Sequence, residues 1–152
     1  MVTPVEPSEN SFRFAELSHR AARRVIQRAL VLAGRDRPLR DHIRAVRLET
    51  LWRIEDSGLS WTVLIDRGRL EFSRRPTKRP NVTFIWATLA DFIPQLERQT
   101  SALANEADFI QAEDPKARKA ALALYTTFIS QLRQVLANPF DEDGTPLIAQ
   151  SL

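Results

Sequence analysis

The chain offers few side chains that could do acid–base or nucleophilic chemistry. It has no Cys, which excludes thiolate nucleophiles, disulfides and thiolate metal sites. The two histidines, His19 and His42, sit in arginine-rich segments with no second ligand at metal spacing, and surface positions account for both. Two acidic pairs, Glu55-Asp56 and Glu113-Asp114, could serve as general acids or bases. Both fall at the ends of expected elements, where turn and cap roles suffice. There is no Gly-x-Ser-x-Gly elbow and no His-Glu-x-x-His pattern, and four glycines leave little scope for a nucleotide cradle. The reading is a protein that is not an enzyme and needs neither metal nor cofactor.

Two other kinds of side chain are plentiful. The first is cationic. Arg20, Arg23, Arg24 and Arg28 form a ridge along one side of an expected helix. A solvated ridge is the simpler reading, and contact with an anionic membrane surface is the alternative. A second basic run, Arg74-Arg75-Pro76-Thr77-Lys78-Arg79-Pro80, could grip phosphates, but a solvated hairpin connection is the commoner reading. It lacks the interleaved aromatics that would stack bases, so nucleic acid is not an expected partner. The net charge of +3 hides a basic first half and an acidic second half. That asymmetry fits an anionic surface or partner, or simply an arginine-rich composition.

The second kind is aromatic. In Trp61-Thr62-Val63-Leu64-Ile65-Asp66 the bulky positions Trp61, Val63 and Ile65 alternate with the rest, the period of a strand with one buried face. Asp66-Arg67-Gly68-Arg69 reads as a turn, and Leu70 and Phe72 alternate on the return. Val82, Phe84 and Trp86 share a face further on, and Trp52 and Ile54 share one upstream. All three tryptophans thus fall on the inward side of one sheet. Each buried aromatic removes roughly 150–250 Å² from water, worth several kcal/mol as an upper bound. Such a face must be covered.

Helices supply the cover. Ser11 or Asn10 can cap a helix running to about Ala33, with Gly34 as its stop and Phe14, Leu17, Ala21, Val25, Ala29 and Leu32 as its stripe. A short helix is expected after Pro38, with Leu39, Ile43 and Val46 in register. Either Thr88 or Asp91 caps a helix that contains Phe92, Ile93, Pro94 and Leu96. Phe109-Ile110-Gln111 fits a last short strand or the end of a short helix. Asp114-Pro115 is the clearest helix start, opening a helix to about Ala137 with Ala121, Tyr125, Phe128, Ile129, Leu132 and Leu136 along one stripe. Residues 1–10 and 139–152 read as tails around one domain over residues 11–138. The fold class is α+β: a twisted antiparallel sheet of four to five strands with helices packed on it. No stretch approaches eighteen apolar residues, and Met1 to Pro7 lacks the pattern of a signal peptide, so a cytoplasmic location is expected.

Within this pattern, Asp56-Ser57-Gly58-Leu59-Ser60-Trp61 resembles the Asp-x-Gly-Leu-x-Trp turn and strand of sterol-carrier-protein (type 2) lipid-binding domains. The likeness is greatest to accessory proteins of bacterial ubiquinone biosynthesis. Asp66-Arg67-Gly68-Arg69-Leu70 is similar to their second turn. Asn81-Val82-Thr83-Phe84, followed by Asp91-Phe92, is similar to their third strand and the helix after it. The resemblance covers about residues 45–135. One departure concerns the junction of the last strand and final helix, where the family's Gly-Asp pair is replaced by Ala112-Glu113-Asp114. Only the Asp of that pair is kept, a departure that bears on the last strand and through it on the shape of the cavity mouth.

The resemblance implies a sheet and helices enclosing an apolar tunnel for sterols, acyl chains or isoprenoid quinones, without covalent chemistry. The expected partner is therefore a hydrophobic small molecule. The expected lining is Trp61, Val63, Phe72, Phe84, Trp86, Phe92, Phe128 and Leu132. A void of roughly 300 Å³ left empty would cost about 7 kcal/mol, comparable to the stability of a whole domain. Such an interior must be either collapsed or occupied. The alternative is an interaction protein with a packed core, in which Leu51, Leu64 and Ile85 on the sheet's other face, or the first helix, form a homodimer or docking surface.

Overall fold

The computed structural model describes residues 17–87 and 110–148. Three helices and five strands alternate along it: α1 (His19–Gly34), α2 (Arg37–His42), β1 (Arg47–Ile54), β2 (Leu59–Asp66), β3 (Arg69–Ser73), β4 (Val82–Trp86), β5 (Ile110–Gln111) and α3 (Pro115–Ala137). Expectations that fall on residues 1–16, 88–109 and 149–152 lie outside the described residues. They include the first tail, the caps at Asn10, Ser11, Thr88 and Asp91, and the placement of Phe14 and Phe92.

Each helix start is fixed by a side-chain cap. Ser18 accepts a hydrogen bond from the Ala21 amide (3.1 Å), Asp36 from Leu39 (3.0 Å) and Asp114 from Lys116 (3.1 Å). The cap of α1 is thus Ser18, seven residues beyond Ser11; Leu17 and Ser18 are not helical. Asp114-Pro115 opens α3 as expected, and its apolar stripe is buried throughout.

The sheet corrects the expectation of an antiparallel meander. Its order is β3-β2-β1-β4-β5, and β1 pairs with β4 in parallel; the other pairs are antiparallel. The basic run after β3 is therefore no hairpin. It crosses the sheet from the β3 edge to the far side of β1. Hydrogen bonds mark the route: Thr62 Oγ1 donates to the Arg75 carbonyl (2.6 Å), the Thr77 amide to Thr62 Oγ1 (2.7 Å), and Thr77 Oγ1 to Glu49 Oε1 (2.9 Å). Asn81 then exchanges two bonds with the Glu49 backbone, each 2.8 Å. Glu49 and Thr62 alternate with the inward residues, so the run lies on the outer face. Leu51 is buried on that face, and Leu64 and Ile85 are half-buried.

The inner face is built in cross-strand rows. Trp61, Trp52, Phe84 and Ile110 form one row across β2-β1-β4-β5. Phe72, Val63, Thr50 and Val82 form a second, and Leu59, Ile54 and Trp86 a third. Helix α3 contributes Tyr125, Phe128 and Leu132 to the same core, and α1 adds Val25, Ile26, Ala29 and Leu30. Among the described residues, no helix is long and apolar enough to cross a membrane.

Residues 139–148, expected to be a loose tail, instead fold back onto α1. Phe140 bridges to Pro146, the Leu147 amide donates to the Pro139 carbonyl (2.9 Å), and Leu147 and Ile148 join the core.

Candidate functional site

Trp52 is the centre of the inner wall, because β1 is the middle strand. Its ring lies 4.3 Å from Phe84, 5.0 Å from Phe128, 5.7 Å from Trp61 and 5.9 Å from both Trp86 and Tyr125, centroid to centroid. These are the separations of offset and edge-on aromatic contact. The structure brings together most of the expected lining. Trp61, Val63, Phe84, Trp86, Phe128 and Leu132 are buried on this wall, Phe72 is half-buried at its β3 edge, and Phe92 lies outside the described residues.

Two members were missing from that set, Trp52 and Tyr125. Period-two alternation marked Trp52 as inward, and helical spacing marked Tyr125. Nothing local, however, revealed that β1 is central.

The polar atoms of the wall differ in how they are satisfied. Thr50 is fully buried; its Oγ1 donates to the Val63 carbonyl (2.7 Å) and accepts from Trp52 Nε1 (2.8 Å). The Trp61 indole N–H is equally buried but finds no hydrogen-bond acceptor among the described residues. Such a group costs about 1–3 kcal/mol. Burial pushes the Tyr125 phenol well above its ordinary range, against a smaller opposing pull from the Arg133 charge. Tyr125 is therefore a neutral hydroxyl at physiological pH. The polar side-chain atoms of Thr50, Trp52, Trp61 and Tyr125 on this wall are thus all uncharged.

Three of the surface clefts among the described residues bear on the site, and none of these is lined by Trp52, Trp61, Phe84, Trp86, Tyr125 or Phe128. One, of about 500 Å³, lies between the starts of β4 and α3. Ala112, Glu113 and Asp114 line it, with the buried residues Leu48 and Ala117 at its inner side.

Two residues of the arginine ridge contact the chain's own C-terminal segment. Arg24 donates to the Pro146 carbonyl (3.0 Å), and Arg28 pairs with Glu142 (3.4 Å) and Asp141 (3.7 Å). Arg35, the C-cap residue of α1, also pairs with Glu142. Together they hold the 139–148 segment against α1. These hydrogen bonds, from Arg35 and then Arg28, lower the Glu142 carboxyl below its ordinary value. Arg23 is half-buried with an unbonded Nε, and Arg20 remains exposed. His19 and His42 are exposed, at the first residue of α1 and the last of α2.

Fold and site together define an α+β domain with a five-stranded mixed sheet and an aromatic wall beneath two helices. Compared with family models, curated proteins and solved structures, the chain matches none.

Proposed function

We propose that the protein binds a hydrophobic small molecule without transforming it, between the inner face of the sheet and α3. The chemistry fits a lipid or acyl chain, or an isoprenoid quinone whose ring carbonyl accepts a hydrogen bond. The observation that carries this reading is the Trp61 N–H, a buried donor on an aromatic wall that has no acceptor among the described residues. Resemblance to sterol-carrier-type domains supports the same reading, through the turn at Asp56–Trp61 and the order of elements. Because the rings are in contact, a guest has to part α3 from the sheet, and the cleft at Ala112–Asp114 offers a starting point. Native mass spectrometry of protein purified without detergent, with and without added decanoate or a short-chain benzoquinone, tests the reading. A one-to-one adduct is expected. Bare protein throughout would remove it.

The close packing of Trp52 with five other rings favours a second reading, an accessory or homodimeric interaction protein whose core is only structural. Light scattering that gives a dimer mass, combined with no adduct, would establish that reading over the first.

A further inference from the structure

A second cleft, of about 430 Å³, lies between the end of α1, helix α2 and the turn that leads into β3. That volume falls within the range of small-molecule sites. Its floor is apolar, made by Leu30, Val31 and Leu70, and Val31 is 41% exposed. Arg35, Arg40 and Arg69 stand on its rim, with Glu71 as the one acidic side chain lining it. The arginines come from three separate elements: the C-cap of α1, helix α2 and the start of β3. Among the described residues, Arg40 and Arg69 have no ion-pair partner, whereas Arg24, Arg28 and Arg35 all engage the C-terminal segment. The carbonyl end of α1 also reaches this cleft and would oppose an anion. Its Leu32 and Ala33 carbonyls are already taken by the Arg35 and Asp36 amides.

The turn that delivers Arg69 supplies an independent observation. Asp66 pairs with Arg69 across a two-residue connection, in which Arg67 has φ +53° and Gly68 φ +89°. Positive φ at both positions is a type I′ turn, for which Asn-Gly or Asp-Gly is the favoured pair. Arginine at the first position breaks that local rule at a cost of roughly 1 kcal/mol. The turn is held against the α2 side: the Arg67 amide donates to the Val46 carbonyl (2.8 Å), and a Cβ at Gly68 would lie 3.5 Å from the Arg40 carbonyl oxygen. A disfavoured backbone at Arg67 that sets Arg69 beside Arg40, both without an ion-pair partner among the described residues, points from strain to function.

We infer that this cleft binds an anionic amphiphile, with a phosphate-type head held by Arg40 and Arg69 and its apolar part resting on Leu30, Val31 and Leu70. The head can belong to a soluble phosphorylated compound or to a membrane phospholipid; the recognising chemistry is the same. This site is separate from the aromatic wall and stands whether or not the wall takes a guest.

The test uses the full chain and three probes: inorganic phosphate, hexyl phosphate, and phosphatidylcholine vesicles with or without phosphatidylglycerol. Arg40→Gln/Arg69→Gln is compared with Arg74→Gln/Arg79→Gln, which removes the same charge from the crossing loop. Hexyl phosphate should bind more tightly than phosphate and shift the Arg40 and Gly68 amide resonances. The Arg40/Arg69 variant should weaken it at least about tenfold, the size expected for losing charge-assisted hydrogen bonds; the loop variant should not. Binding to soluble probes alone identifies a soluble ligand. Selective binding to phosphatidylglycerol vesicles, lost in the same variant, identifies a membrane source. No binding to any probe, equal weakening in both variants, or hexyl phosphate no tighter than phosphate would each overturn the assignment.

Discussion

Two tryptophans on adjacent strands form a matched pair for testing the polar accounting of the wall. Trp52 and Trp61 face each other in register, both are fully buried, and they differ in one respect: Trp52 Nε1 donates to Thr50 Oγ1 at 2.8 Å, while Trp61 Nε1 finds no acceptor among the described residues. Replacing either by Phe removes roughly 40 Å³ and costs about 1 kcal/mol through the space left behind. In Trp52→Phe a further ~1 kcal/mol goes with the hydrogen bond, for a total of about 2 kcal/mol. In Trp61→Phe the loss of an unsatisfied donor returns about 1–3 kcal/mol, so the net change runs from neutral to about 2 kcal/mol stabilising. Urea unfolding followed by far-UV circular dichroism should therefore separate the two variants by about 2–4 kcal/mol at unchanged m. Equal destabilisation of both would mean that the Trp61 N–H is satisfied, and the reasoning for a guest's hydrogen bond would go with it.

The C-terminal segment and the turns give further expectations. Leu147→Ala should cost about 2–4 kcal/mol, the range for a buried leucine, whereas a loose tail would show no change in unfolding midpoint. The Glu142 carboxyl is lowered by its arginine partners, so its contribution is present above the ordinary glutamate pKa and is lost as pH falls through the lowered native value. Leu147 methyl resonances should accordingly move toward unfolded positions on acidification; a constant environment would contradict the clasp. The chain has a single tyrosine, and the Tyr125 pKa is raised, so the stability tied to it is present below pH 10 and declines as pH rises beyond. Its absorbance titration should be delayed past pH 10 and coincide with unfolding, rather than follow a free phenol curve. Arg67→Asn should stabilise the turn by about 0.5–1 kcal/mol by relieving the positive φ, and a lower melting temperature would count against strain there.

Much of the wall was legible because its signal is local. Alternation at Trp61-Val63-Ile65 and Phe84-Trp86 marks one face whatever the strand order, and Asp114-Pro115 marks a helix start by chemistry confined to three residues. Topology was not local. A hairpin at Arg74–Pro80 would pair β3 with β4; the crossing loop instead pairs β1 with β4 and puts Trp52 at the centre of the wall. The information that places β1 in the middle is carried by Thr62, Thr77 and Glu49, whose side chains anchor the crossing loop. As isolated polar residues they announce nothing until the strands are paired. The ridge of α1 was legible as a charged face, but its acidic counterparts lie more than a hundred positions away. Helical spacing cannot show that a distant Asp141-Glu142 will return to it.

The claim that a hydrophobic guest enters between the sheet and α3 is tested most directly by the three tryptophan indole N–H resonances. A ¹⁵N-labelled sample titrated with a short-chain benzoquinone should show the Trp61 signal moving downfield as it gains an acceptor, with a smaller shift at Trp52, whose donor is already engaged. If all three signals stay in place at saturating probe, the wall is a closed structural core and the binding function is contradicted.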